Sequence, residues 1–239
     1  MAAVRFWHWG PGHAHAPGGS QYLPGSKDLA LAASRTGADF QFVGERRSWL
    51  SPTREGTAGS RNLWLATPGA VRVGDDDLFF VTRGNAGESI SYAIDPAAST
   101  WKSEIVMGRL RRNGLVSVSA PYSREADAAV LVTRPLVFAG RRLLLNLDAG
   151  GGGSVVVEMR RAADTRTDGA AGFRRDDALP PPLLTSVPLV ANCVECEVMW
   201  GGSPSSAGNA TAVAAYAGVP VALSLRMQAC ELYSLRFAQ

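Results

Sequence analysis

Residues 133–159, TRPLVFAGRRLLLNLDAGGGGSVVVEM, decide how this chain is read. Three apolar runs stand there, separated by a Gly140-Arg141 turn and by the four glycines from Gly150 to Gly153. Successive side chains of a strand point to opposite faces. Leu143, Leu145 and Leu147 therefore share one face, with Leu144, Asn146 and Asp148 on the other. Val155, Val157 and Met159 alternate in the same way with Val156, Glu158 and Arg160. One apolar face beside one mixed face is the pattern of an antiparallel sheet that packs on a second sheet. Each such buried aliphatic side chain contributes about 1.5–3 kcal/mol, so the stretch is first of all a folding device. Its spacing predicts a ladder of hairpins, with the glycines as a flexible tip. They are not a phosphate loop, because neither a helix nor Gly-Lys-Ser/Thr follows.

The period of two continues outward. DLALAASRTG and DFQFVGERR, from residue 28 on, read as a hairpin with a Thr-Gly turn. In ATPGAVRVGDDDLFFVTRGN, Val71 and Val73 alternate with polar neighbours, Gly74-Asp75 turns the chain and Leu78 to Val81 leads back. SISYAID and KSEIVMGRL add two short strands, and CEVMW, VPVALSLRM and CELYSLRF follow in the second half. PPPLLTSVP cannot be a central strand, since proline lacks the ladder donor. SREADAAVLV and GNATAVAAYAG offer at most a short helical turn each. Strands at intervals of eight to twelve residues fit propeller blades, sandwiches or barrels.

Composition narrows the class. With 239 residues and 46% apolar composition, the chain can bury one sizeable core or two modest ones. The formal charge of +3 is small and its sources are dispersed, which argues against a nucleic-acid surface. No apolar run approaches the roughly 18 residues of a membrane-spanning helix. The first 25 residues lack the apolar stretch of a signal peptide, so the chain is expected either to stay inside the cell or to lack its natural beginning. The compartment itself is left open.

Several groups invite a chemical reading. Cys193 and Cys196 form C-x-x-C, a spacing used in redox chemistry and in zinc sites. No second such pair completes four ligands, and positions i and i+3 of a strand point apart, so the thiols meet only if the strand breaks there. Asp75, Asp76 and Asp77 can bind calcium, but a turn explains them without a metal. His8, His13 and His15, with Trp7 and Trp9, lie in a Gly- and Pro-rich terminal segment suited to zinc or copper, to sugar stacking or to no order at all. No metal and no cofactor are assigned. Asn209-Ala210-Thr211 is a glycosylation sequon, of use only in a secreted protein. Trp200 and Tyr233 are expected to fill the core between sheets.

Order along the chain adds a resemblance. GRLRRNGLVSVSA, then LVTRPLVFAGRRLLLNLDAGGGGSVVVEM, GFRRDD, CEVMWGG and YAGVPVALSLRMQACELYSLRF resemble the C-terminal β-sandwich of the five-bladed propeller glycoside hydrolases, the group of β-fructosidases and arabinanases. That match covers about residues 108 to 237. Upstream, DLALAASRTGADFQFVGERRSWL is similar to the L-A-x-S-R-D-G blade element, and ATPGAVRVGDDDLFFVTRG to the hairpin of the next blade.

The resemblance implies an all-β chain of partial β-propeller blades followed by an antiparallel β-sandwich. Residues 1–25 would be irregular, 26–107 blade-like and 108–239 the sandwich. It implies a carbohydrate-active, glycosidase-like protein, partial or degenerate, because the acids of such enzymes sit on earlier blades and no catalytic residue can be placed here. The alternative is a non-catalytic sandwich module that binds glycan or protein, or braces a propeller. Loops bearing Ser60, Arg61 and Asn62, and Arg83, Asn85 and Glu88, would lie near the funnel mouth and hydrogen-bond sugar hydroxyls; solvated loop residues are the other reading. The blade elements depart from the family there: GTAGSRNLW replaces G-x-W-D-S, and no His follows VTRG. An open propeller edge would invite self-association.

Overall fold

A computed structural model describes residues 2–9, 25–34, 36–45, 47–51, 62–67, 69–84, 103–122, 128–162, 181–201 and 211–239. The chain is all-β: among the described residues sixteen strands form four open antiparallel sheets, and the described helix is a single turn at 211–214. It divides into two compact units, Met1–Leu110 and Arg111–Gln239.

In the first unit, β1 (Ala2–Trp9), β2 (Gly25–Ala33), β3 (Gln41–Phe42) and β4 (Ser48–Leu50) make one sheet in which β2 pairs with the other three. Where irregular chain was expected, Ala2–Trp9 pairs residue for residue with β2. The second sheet holds β5 (Asn62–Leu65), β6 (Val71–Val73), β7 (Asp76–Gly84) and β8 (Ser103–Arg111), all paired to β7. Val71 stands opposite Leu78 and Val73 opposite Asp76, the hairpin expected around Gly74, whose positive φ of 59° the turn requires. Leu29, Leu63, Phe79 and Val81 form a small core with Trp49, Leu50, Leu65, Val106 and Leu110 against it. Trp49 and Phe79 pack with ring centroids 5.0 Å apart.

The other face of this second sheet is open. Trp64 is 43% exposed, Val71 52%, Val73 55%, Ile105 67% and Met107 59%. Trp64 lies opposite Thr82 and Val71 opposite Leu78, so both share the face of Asp76. The Asp76–Arg109 ion pair at 2.6 Å ties Arg109, and with it Ile105 and Met107, to that same face.

The second unit holds β9 (Val118–Ala120), β10 (Ala129–Val132), β11 (Arg142–Asp148), β12 (Ser154–Arg161), β13 (Leu184–Thr185), β14 (Asn192–Glu197), β15 (Val221–Gln228) and β16 (Cys230–Ala238). One sheet runs β10-β15-β12-β13 and the other β14-β11-β16-β9. Both feed one apolar cluster: Leu143, Leu145 and Leu147 from β11, Val155, Val157 and Met159 from β12, and Leu223, Leu225 and Met227 from β15. The face assignment made from period two holds for the six residues of β11 and β12. Trp200, 1% exposed, is part of the same cluster, and proline-flanked β13 lies at a sheet edge.

The hairpin reading of residues 133–159 does not hold. β11 and β12 belong to different sheets, as do β10 and β11, and β15 and β16. The physical reason lies in the two apolar stripes: each must face the shared core, which is met by crossing from one layer to the other. The glycines serve that crossing. Gly151 and Gly152 have φ of 71° and 101°, and Gly153 is buried against the Ala229 carbonyl with no room for a Cβ. Ala229, itself at φ 45°, is the corner between β15 and β16, so two crossings meet there.

Candidate functional site

Of the six residues singled out for sugar binding, Ser60, Arg61, Asn85 and Glu88 lie outside the described residues. Asn62 opens β5 with its Cα opposite Gly84. Arg83 stands within β7 instead of in a loop beyond it, because β5 pairs with β7 as far as Gly84. Its Nε donates to Glu104 Oε1 on β8 at 2.6 Å, so the guanidinium braces two strands. SISYAID, the histidine pair at 13 and 15, GFRRDD and the sequon asparagine also lie outside the described residues.

Among the described residues, several carboxylates meet basic or hydroxyl groups. Ser48 Oγ donates to Asp28, Arg72 Nε donates to Asp77 at 3.0 Å, and Arg109 pairs with Asp76. Two of the three consecutive aspartates are thus engaged by arginines on β6 and β8. Ser117 donates to Glu231, and Arg142 lies 4.0 Å from Glu197. Glycoside cleavage needs two carboxyl groups about 5–9.5 Å apart across a cleft. Among the described residues the contacts above run from acid to arginine or serine, and Asp148 accepts from the Gly150 amide at 3.0 Å.

The most elaborate polar arrangement centres on Asn146, 1% exposed in the middle of β11. Both neighbouring strands carry one extra residue beside it. On β14, Leu145 pairs with Cys196 and Leu147 with Cys193, which leaves Val194 and Glu195 opposite Asn146 alone. On β16, Asn146 pairs with Ser234 and Leu147 with Leu232, which leaves Tyr233 unpaired. These are β-bulges, and Arg111 fills the space they open. Its Nε donates to Asn146 Oδ1, an Nη to Asn192 Oδ1 and the other Nη to the Leu147 carbonyl at 2.9 Å, while the guanidinium lies 5.1 Å from the Tyr233 ring centroid. Asn146 Nδ2 donates to the Arg112 carbonyl at 2.6 Å. Arg112 and Arg236 both reach Glu195 at 2.7 Å; the hydrogen bond from Arg236, with both positive charges, holds that carboxyl below its ordinary range. Tyr233 was expected in the core, yet as the bulged residue it sits under Arg111. Burial and the neighbouring Glu231 push its hydroxyl up, with Arg111 opposing.

The same bulge joins Cys193 to Cys196 in a disulfide. With one residue inserted, the two cysteines oppose Leu147 and Leu145, which point to one face, so the thiols share it too. The strand therefore breaks in the one way that brings i and i+3 together. Period-two reasoning places them apart because a bulge is set by the partner strand, not by the segment itself.

On the other sheet, β12 and β15 present a polar group away from the core. Glu158 stands opposite Ser224 and Val156 opposite Arg226. Arg160 and Arg226 reach the Glu158 carboxylate at 2.5 and 3.3 Å. Glu158, Arg160 and Ser224 are all buried, and among the described residues Arg160 Nε and Ser224 Oγ have no hydrogen-bond partner. Breaking such a buried pair from one side costs about 3–5 kcal/mol. The alternation of VVVEMR put Glu158 and Arg160 on the mixed face; their burial had no local signal.

Among the described residues no helix is long and apolar enough to cross a membrane. No protein-family model matches this chain, and no curated protein and no solved structure matches it either.

Proposed function

We propose that this chain is a carbohydrate-active, glycosidase-like protein in a partial or degenerate form, which engages glycan without a complete catalytic acid pair of its own. On this reading the second unit is the β-sandwich, two sheets over one core, and the first unit corresponds to the last propeller blades. The observation that carries it is the state of the acids. Among the described residues several are taken by arginine or serine, as with Asp76 and Arg109, Glu104 and Arg83, or Glu158 and Arg160. A carboxylate so engaged is poorly placed to protonate a leaving oxygen or to attack an anomeric carbon.

A second reading is a non-catalytic module that binds protein or braces a larger assembly. The open apolar face of Trp64, Val71, Val73, Ile105 and Met107 favours it. One experiment separates the two. The purified chain is run in affinity electrophoresis through gels containing arabinan, levan or xylan, and assayed on aryl furanosides and pyranosides. Retardation without turnover is the expected result. No retardation by any polysaccharide favours the second reading, and turnover overturns both.

A further inference from the structure

We infer that the outward face of the β12–β15 pair is a binding site for a small carboxylate, held by Arg160 and Ser224. The inference stands apart from the glycan reading and rests on hydrogen-bonding capacity. The Arg160 Nε–H can only donate, and the Ser224 hydroxyl has a proton to donate; both atoms are buried and neither has a partner among the described residues. Buried polar groups in folded proteins are paired in the great majority of cases, so two orphans on one face mark a ligand's place.

Position makes them one site. Ser224 lies opposite Glu158, and Arg160, two residues further along β12, lies opposite Ala222. Arg160 and Ser224 are thus diagonal neighbours on the same face, within reach of each other for a long side chain. Glu158 does not satisfy them: one of its oxygens takes Arg160 through an Nη, and the other faces Arg226. The Glu158 contact engages the guanidinium through one Nη and leaves the buried Nε–H as an unmet donor. An acceptor with two oxygens fits two donors, and a charged acceptor binds a guanidinium more strongly than a neutral hydroxyl does. Arg226, its side chain 40% exposed, marks the side open to solvent and adds a second positive charge at the approach.

The full chain, labelled with ¹⁵N, is titrated with sodium acetate, sodium D-glucuronate and D-glucose. Saturable shifts of the Arg160 Nε–H and of β12 and β15 amides are expected with acetate and glucuronate but not with glucose. Ser224→Ala should weaken binding about five-fold, the effect of one hydrogen bond. It should leave the thermal midpoint of the free protein unchanged or raised, because the hydroxyl has no partner to lose; that keeps the variant folded and the test readable. Arg160→Lys, which keeps the charge and removes the Nε–H, should abolish the shifts. Tighter binding of glucuronate than acetate would identify a sugar acid as the source, and equal binding a simple acid. Absence of saturable shifts with both carboxylates, equal shifts with glucose, or undiminished binding by Ser224→Ala would each overturn the inference.

Discussion

Asn146 and Arg111 hold one another across the second unit: Arg111 Nε donates to the Asn146 side-chain carbonyl, and the Asn146 amide returns a bond to the next residue's carbonyl, Arg112 O, at 2.6 Å. Asn146→Ala removes both. A buried hydrogen bond to a charged group is worth about 1.5–3 kcal/mol, so the variant should lose roughly 3 kcal/mol of stability. Urea unfolding would show this as a lower midpoint. An unchanged midpoint would mean that water replaces the amide and that the two bulges are not anchored there.

The disulfide closes a short loop, so its effect on the unfolded chain is modest. Chain entropy for a cross-link between Cys193 and Cys196 gives about 2 kcal/mol. Cys193→Ser should lower stability by up to that amount under oxidising conditions and by nothing in the presence of dithiothreitol. A difference that persists after reduction would trace the loss to packing of the thiol.

Cys230 is free and buried, and its burial pushes the thiol up from its ordinary value, with the Glu231 charge in the same direction and a bond to backbone opposing. The folded state therefore holds the proton more tightly than the unfolded one. This contribution to stability is full below the unfolded thiol's pKa of about 8.5 and declines as pH rises from there through the folded value. Cys230→Ala should flatten the alkaline limb of a stability–pH curve from about pH 8.5 until tyrosines titrate. Identical curves for the variant and the parent would refute it.

The exposed apolar face of β5, β6, β7 and β8 predicts association. The intact chain should sediment as dimers or larger species, and the double variant Ile105→Lys, Met107→Lys should shift it toward monomer. A monodisperse monomer for the parent chain would show that this face tolerates water.

What was legible in the sequence follows from the range of the forces involved. Leu143, Leu145 and Leu147 could be placed because alternation is a local rule, and the turn at Gly74 because glycine permits a positive φ. Sheet membership was not legible, since identical stripes suit a hairpin and a pair of strands facing across a core. Asn146 illustrates a deeper difficulty. It looked like one polar residue on a mixed face, yet it is buried between bulges on both sides and takes a hydrogen bond from Arg111, 35 positions away. Of the proposed sugar contacts, Arg83 could be followed to Glu104; that partnership depends on how β7 and β8 align, which neither strand encodes alone.

The places of the last two strands carry a consequence for biosynthesis. β15 lies between β10 and β12, and β16 between β11 and β9, so residues 221–238 supply an interior member to each layer. Neither layer is continuous until that segment has cleared the ribosome. Translation should deliver this unit as a nascent chain that waits, its earlier strands unable to close, and a chain cut before residue 221 would leave each layer as one pair and one lone strand.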